Sequence, residues 1–146
     1  MKQMNKLIMV VALAILSLNV SAQDKVVPFG KLPKKAQTFV STYYDVNQVS
    51  YVVLDKEFLS TSYKVKLNNG IEIEFDDKGQ WTEVDAELKA VPSEIVSPKI
   101  LAYVKKSFPN NEIVQIARDS RKIEVELTNG IDLVFNKKGD FIRIDD

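Results

Sequence analysis

The chain has 146 residues with 20 basic and 20 acidic side chains, and it contains neither Cys nor His. This balance lacks the basic footprint that nucleic-acid binding requires. Without Cys and His, the zinc sites built from those residues and Ser-His catalysis are excluded, and the fold must be held by a hydrophobic core rather than by disulfides.

The first 22 residues predict a secretory signal peptide. Lys2 and Lys6 form a positive n-region, and an apolar run over residues 7–18 is followed by a short segment ending at Ala22. The run is shorter than the ~20 apolar residues of a membrane helix. We expect cleavage between Ala22 and Gln23 and a periplasmic or secreted protein, with a retained signal anchor as the alternative.

The remaining chain contains an internal repeat. Residues 67–75 match residues 127–135 at a constant offset of 60, and both stretches contain an Asn-Gly pair followed by alternating apolar residues. Upstream, residues 33–43 match residues 98–108 at an offset of 65. The extra positions of the first copy lie around residues 57–61, in a predicted turn, where insertions are tolerated.

We therefore predict two tandem units that together form one compact domain, with unit 1 over residues 32–87 and unit 2 over residues 88–146. Residues 23–31 are predicted to be an N-terminal linker. Each unit begins with a helix, because apolar residues recur at the spacing of one helical face. The stripes expected to face the core are Ala36, Phe39, Val40 and Tyr43 in the first helix and Ile100, Leu101, Val104 and Phe108 in the second.

Four strands are predicted after each helix, at residues 49–54, 62–67, 71–75 and 81–85 in unit 1 and at 113–118, 122–127, 131–135 and 141–145 in unit 2. Strand parity decides the central turn. A two-residue loop would set Leu67 against Glu72, whereas a three-residue loop with Gly70 in the left-handed conformation sets Leu67 against Ile71 and keeps each face uniform. The predicted fold class is α+β, with two helix-plus-four-stranded antiparallel sheet units and the helices on one face.

These features resemble the PepSY-like family, whose members are exported bacterial proteins similar in architecture to beta-lactamase-inhibitor protein. The resemblance rests on the early Pro of each helix, the Tyr63-x-Val65-x-Leu67 strand, Asn69-Gly70 and the alternating strand that follows, and it covers nearly all of the mature chain. It implies a helix packed on a four-stranded sheet, repeated in tandem. Unit 2 departs from the pattern at Ile123, where the family has Tyr. Inhibition of an enzyme does not follow from shared architecture.

The sheet face away from the helices is predicted to carry opposed charges. In unit 1, Lys66 faces Glu72 and Lys64 faces Glu74, which is a stabilising arrangement across an antiparallel pair. In unit 2 the corresponding charges have the same sign, and the residues concerned are Glu124, Glu126 and Asp132. Like charges directly opposite are unfavourable, so they indicate either neutralisation by Lys122 or Arg143, or a cation or basic partner.

The last strand of each unit has an aromatic residue whose parity is anomalous. Trp81 and Val84 cannot both face the helix in a regular strand, and the same holds for Phe141 and Ile144. Either a bulge or contact with the other unit buries the aromatic, or the aromatic lies on the open face. In the second case Trp81 and Phe141 would be partner anchors, with Tyr51 as a lesser candidate, because interfaces favour aromatic side chains.

The sequence indicates no catalytic, cofactor-binding or metal site. Asp76 and Asp77 stand in a predicted turn, where Asp commonly bonds the local backbone. The leading hypothesis is a non-enzymatic exported binding protein that engages another envelope or extracellular protein through the open sheet face. The alternatives are a periplasmic small-ligand or cation-binding protein and a purely structural envelope component.

Overall fold

The computed structural model describes residues 24–145. The predicted signal peptide and its cleavage point lie outside these residues. Two helices and nine strands are present in this described part of the chain. The helices are α1 (Lys34–Tyr43) and α2 (Pro98–Ser107), and the strands are β1 (Asp24–Val27), β2 (Val49–Lys56), β3 (Thr61–Leu67), β4 (Glu72–Asp76), β5 (Trp81–Asp85), β6 (Ile113–Arg118), β7 (Lys122–Leu127), β8 (Asp132–Asn136) and β9 (Phe141–Asp145).

The strands form one antiparallel sheet in sequence order, from β1 at one edge to β9 at the other. Strand β5 of unit 1 pairs directly with β6 of unit 2, with Val84 opposite Ile116, so the sheet continues across the two units. The predicted α+β fold class, with tandem helix-plus-sheet units, is confirmed.

Both helices cover the same side of the sheet. Ala36 and Val40 of α1 are fully buried, and so is nearly all of Ile100 and Val104 of α2. They join one cluster of buried apolar side chains that runs through both units. Burial of these apolar side chains is the main contribution to the stability of the fold, because each fully buried Val, Leu, Ile or Phe contributes about 1.5–3 kcal/mol.

The two helices differ in their N-terminal capping, and each begins next to a glycine-containing turn. The Ser97 hydroxyl accepts a hydrogen bond from the backbone N–H of Lys99, and Pro98 occupies the first position of α2, as its missing N–H favours. Pro33 precedes α1 and provides no side-chain cap. The turn that contains Gly79, before β5, and its counterpart before β9 pack closely against the first residues of α1 and α2. A Cβ on Gly79 would stand 2.8 Å from the Pro33 Cβ.

The predicted three-residue turn is confirmed in both units. In the first, the N–H of Leu67 donates to the carbonyl of Ile71 and the N–H of Gly70 donates to the carbonyl of Leu67. Gly70 has φ 95° and Gly130 of unit 2 has φ 85°, which is the left-handed region that favours glycine. The register therefore sets Tyr63 and Val65 of β3 against Phe75 and Ile73 of β4.

The segment over residues 23–31, predicted to be a linker, contains strand β1. Asp24–Val27 pairs antiparallel with β2, with Val27 opposite Val52. The strand is only four residues long, and its Val26 is 74% exposed. A segment this short has too few residues to show the alternation from which strands are predicted, so its pairing with β2 could not be foreseen.

Candidate functional site

Within residues 24–145, both helices pack on the same side of the sheet, and no helix covers the other side. Phe39 of α1 packs 5.6 Å from Phe75, and Tyr103 of α2 packs 5.5 Å from Phe135, both on the opposite side. We call the uncovered side the open face. The register places on it Tyr51, Val53, Lys64, Lys66, Glu72, Glu74, Glu83, Asp85, Gln115, Ala117, Glu124, Glu126, Asp132, Val134, Arg143 and Asp145.

The unit 1 part of the open face forms the predicted ladder of opposite charges. The Lys66 Nζ lies 2.9 Å from Glu72 Oε1, and the Lys64 Nζ lies 3.5 Å from Glu74 Oε1. The hydrogen bond with Glu72 raises the pKa of Lys66 above its ordinary value. These pairs hold the β3–β4 register and keep this part of the face close to neutral.

The unit 2 part keeps the like-charge contact that the sequence indicates. Glu126 stands directly opposite Asp132, and Glu124 stands opposite Val134. Lys122 forms an ion pair with Glu124. Arg143 bonds to Asp145 at 2.9 Å, and this contact, followed by the more distant charge of Glu124, raises the pKa of Arg143. The predicted neutralisation by basic neighbours therefore applies at Glu124.

The acidic side chains of both units meet at the β5–β6 junction. They surround a shallow depression of 320 Å³ on the open face, lined by Glu83, Gln115, Ala117, Glu124, Val125, Glu126 and Asp132. Its lining includes four acidic side chains and no basic side chain. A surface with this composition has a negative potential, which attracts cations and basic protein surfaces and repels acidic ones.

Glu83 has the most perturbed environment on this face. It stands directly opposite Glu74 in the β4–β5 pair, and it accepts a hydrogen bond from the Gln115 side-chain amide. Its pKa is raised to about 7, first by burial and then by a hydrogen bond shared with the Glu74 carboxyl, while the Gln115 bond works in the opposite direction. Near neutral pH this carboxyl group therefore gains or loses a proton in response to small changes in its surroundings.

Trp81 and Phe141 do not lie on the open face. A bulge in each last strand adds one residue, so that Phe75 pairs with Trp81 while Glu74 pairs with Glu83, and Phe135 pairs with Phe141 while Val134 pairs with Arg143. The aromatics thereby share the covered face with the apolar residues that follow them. The prediction that they line the open face is wrong, and the alternative of a bulge is correct.

Both aromatics pack against a helix. Trp81 is 8% exposed, and its ring lies 6.5 Å from Phe39. The Arg118 guanidinium stacks 3.7 Å from the Trp81 ring centre, and its Nε donates to the Trp81 carbonyl. Phe141 stacks on Tyr103 of α2 at 4.6 Å. These contacts give both aromatics a structural role in the core.

Tyr51 is the one predicted aromatic that the structure places on the open face. It stands opposite Lys66 and is 41% exposed. It lies on β2, however, and the depression lies between β5 and β8. Glu124, Glu126 and Asp132 line the depression, so the structure brings these three together and leaves Tyr51 apart from them.

Sequence reasoning missed Glu83 and Gln115 as members of this site. The parity conflict between Trp81 and Val84 contains the signal for Glu83, because a bulge after Trp81 requires Glu83 to face the open side next to Glu74. Gln115 has no comparable signal. Its position depends on the pairing of β5 with β6, which joins segments that are 32 residues apart.

The described residues assemble no group of three or more Asp or Glu side chains that could hold a metal ion. Among the same residues, no helix has the length and apolar character needed to cross a membrane.

The duplicated sheet with helices on one face agrees with comparisons to known proteins. Residues 61–143 match the model of a family described as "Putative beta-lactamase-inhibitor-like, PepSY-like". The chain belongs to the PepSY-like family. The resemblance indicated by the sequence motifs is thus confirmed. Among curated proteins, none matches this sequence.

Several solved structures are similar to this PepSY-like chain. A crystal structure described as a "putative periplasmic protein" from Bacteroides vulgatus is 36% identical, with a TM-score of 0.81 over 86% of this chain and 99% of that one. A "putative calcium-regulated periplasmic protein" from Bacteroides thetaiotaomicron is 35% identical, with a TM-score of 0.81 over 84% and 97%. A second Bacteroides vulgatus protein, described as of unknown function, is 35% identical, with a TM-score of 0.79 over 84% and 99%.

Proposed function

We propose that this PepSY-like chain is a non-enzymatic exported protein that binds another envelope or extracellular protein through the open face. The observation that carries the proposal is the acidic depression at the β5–β6 junction, which no described helix covers. Its charge favours a partner with a basic surface, because complementary potentials guide association and exclude like-charged competitors.

The shape of the open face supports a protein partner over an enzymatic substrate. The depression is shallow and polar, whereas sites for small substrates are deep clefts with mostly apolar walls. The chain has no His or Cys to act as a base or thiolate nucleophile. Charged side chains on a broad sheet face suit the polar contacts of a transient complex.

Export supports the same proposal. The N-terminal segment has the charge and apolar run of a signal peptide, and the similar Bacteroides proteins are described as periplasmic. The chain would therefore meet its partner in the periplasm or outside the cell.

A site-directed crosslinking experiment tests the proposal. A photoreactive amino acid at Ala117, inside the depression, should capture a protein in living cells, and the same group at Lys106 on the last turn of α2 serves as the matched control. We expect the Ala117 adduct to disappear when Glu124 and Glu126 are both changed to Lys. An adduct equally strong at both positions, or one insensitive to the charge reversal, would contradict binding through the open face.

A second candidate is that the depression binds a small ligand, or a cation held by fewer than three carboxylates. One relative is described as calcium-regulated, and carboxylates line the depression. If this candidate is correct, calcium should raise the melting temperature well beyond the effect of sodium chloride at matched ionic strength, and Glu124→Gln should abolish the increase. Equal effects of the two salts would favour the protein partner.

A further inference from the structure

Strand β9 has an outer edge with no strand partner among the described residues. Two large apolar side chains stand on it, with Ile142 51% exposed and Ile144 47% exposed. The strand contains neither Pro nor Lys, two common means of protecting an edge from pairing with another chain, and its charged residues are Arg143 and Asp145, which have opposite signs. The edge is therefore open to a further strand.

The internal repeat shows what this edge can bind. Strand β5 is the counterpart of β9 at an offset of 60, and its outer edge is paired with β6. In that pair Val84 stands opposite Ile116, and both side chains are almost fully buried. Ile144 is the counterpart of Val84. Like Val84, Ile144 lies on the helix-covered side of the sheet. Unlike Val84, it has no apolar residue opposite it on a neighbouring outer strand among the described residues.

We propose that β9 pairs antiparallel with β9 of a second copy of this chain, around a twofold axis that passes midway between the two Ile144 residues. In this register Ile144 stands opposite Ile144 of the second copy, as Val84 stands opposite Ile116. Arg143 stands opposite Asp145 of the second copy, twice over by symmetry. Residues 143–145 are thus self-complementary in both apolar character and charge, as a closed dimer interface requires.

The charges on this edge support the twofold register. Within one copy, Arg143 Nε already donates to Asp145 Oδ1 at 2.9 Å. Pairing adds a second Asp145 on the other side of each guanidinium, which gives an alternating arrangement of four charges. Opposite charges directly across an antiparallel pair are stabilising.

A head-to-tail arrangement of copies, with β9 against β1, fits less well. Two antiparallel registers keep Ile144 on the helix side of β1. One of them places Asp145 opposite Asp24, which brings like charges together. The other places Arg143 opposite Pro28, which has no N–H to donate. The structure therefore favours a closed pair over an open chain of copies.

The twofold axis is perpendicular to the sheet, so the helices of both copies lie on one side and both open faces lie on the other. The dimer leaves the surface of the proposed function uncovered, and neither proposal depends on the other. One short strand pair buries less than the roughly 1,200 Å² of standard interfaces. We therefore expect dissociation constants in the micromolar range, roughly 10–100 µM.

Sedimentation velocity on the purified mature chain, from about 5 to 500 µM, tests the proposal. The wild type should shift from monomer to dimer across this range. Arg143→Asp and Asp145→Arg should each raise the dissociation constant at least about tenfold, because each places like charges opposite one another twice. An equimolar mixture of the two variants should dimerise again, because the heterodimer has an opposite charge at every contact.

Two further variants separate the edge from other surfaces. Ile144→Lys should abolish dimerisation while leaving the melting temperature close to that of the wild type, because the side chain is half exposed. Lys89→Asp changes the charge on an exposed turn and should dimerise like the wild type. A wild type that stays monomeric throughout, or a charge-swapped mixture that does not dimerise, would overturn the proposal.

Discussion

Replacing Glu83 by Gln tests the electrostatics of the open face in the folded chain itself. The ordinary pKa of a Glu is 4.5, and burial together with the neighbouring Glu74 raises the pKa of Glu83 to about 7. Between these two pH values the unfolded chain releases the proton while the folded chain retains it. The unfolded state then binds fewer protons, so the stability of the wild type falls as the pH rises from 4.5 towards 7.

The size of this loss follows from the two pKa values. A difference of this size corresponds to about 3 kcal/mol at full strength. Because the carboxyl group is only half withdrawn from water, solvent screening reduces the expected loss to about 1–2 kcal/mol. Gln is neutral in both states and can still accept the hydrogen bond from Gln115. We therefore compare the free energy of unfolding of Glu83→Gln with that of the wild type at two pH values. The difference in favour of the variant should be about 1–2 kcal/mol larger at about pH 8 than at pH 4.5.

Urea unfolding followed by circular dichroism at the two pH values measures this difference. Glu94→Gln removes an exposed carboxylate from the segment before α2 and serves as the matched control. For the control we expect the same difference from wild type at both pH values. A Glu83→Gln effect that does not change with pH would refute the inference that burial and Glu74 raise the pKa of this carboxyl group.

Three further predictions concern packing and export. Gly79→Ala should lower the free energy of unfolding in urea by about 2–4 kcal/mol, because Gly79 has φ 82° and the new Cβ would meet the start of α1. Gly130→Ala, where φ is 85° and the space around the new Cβ is open, should lower it by only about 1 kcal/mol. Equal losses for the two variants would contradict the close approach of Gly79 to α1. Trp81→Ala should destabilise the chain by about 3–5 kcal/mol, and a cost below about 1 kcal/mol would show that the ring is not in the core. The mature protein recovered from the periplasm should begin at Gln23 by mass spectrometry, and an intact N-terminus would contradict signal cleavage.

Much of the fold could be predicted because it depends on local patterns. The repeated Asn-Gly turn, with Gly70 and its counterpart, follows from the requirement that each sheet face keep one character. The same requirement, applied to the amino-acid order, predicts the Lys66–Glu72 pair and the like-charge pair of Glu126 and Asp132. A shift of one residue would expose every core side chain of the strand, so the pattern admits a single register.

The placement of Trp81 and Phe141 could not be predicted in the same way. Their strands read equally well with a bulge or without one, because a bulge adds one residue and leaves no distinct residue type behind. The outcome depends on Phe39 and Tyr103, which lie on helices distant in sequence and provide an apolar surface for the rings. Burial of a large aromatic against that surface outweighs the distortion of two strands.

Amino-acid order alone determined the duplication, the strand registers within each unit and the exclusion of Cys- or His-based chemistry, because each depends on residues close together in the chain or on composition. The tertiary structure decided how the units join. Only the pairing of β5 with β6 brings Glu83, Gln115 and Glu124 to one depression, and only the sheet order leaves the edge of β9 unpaired among the described residues. Contacts between distant segments depend on which surfaces fit once each unit has formed, and no local pattern records that fit.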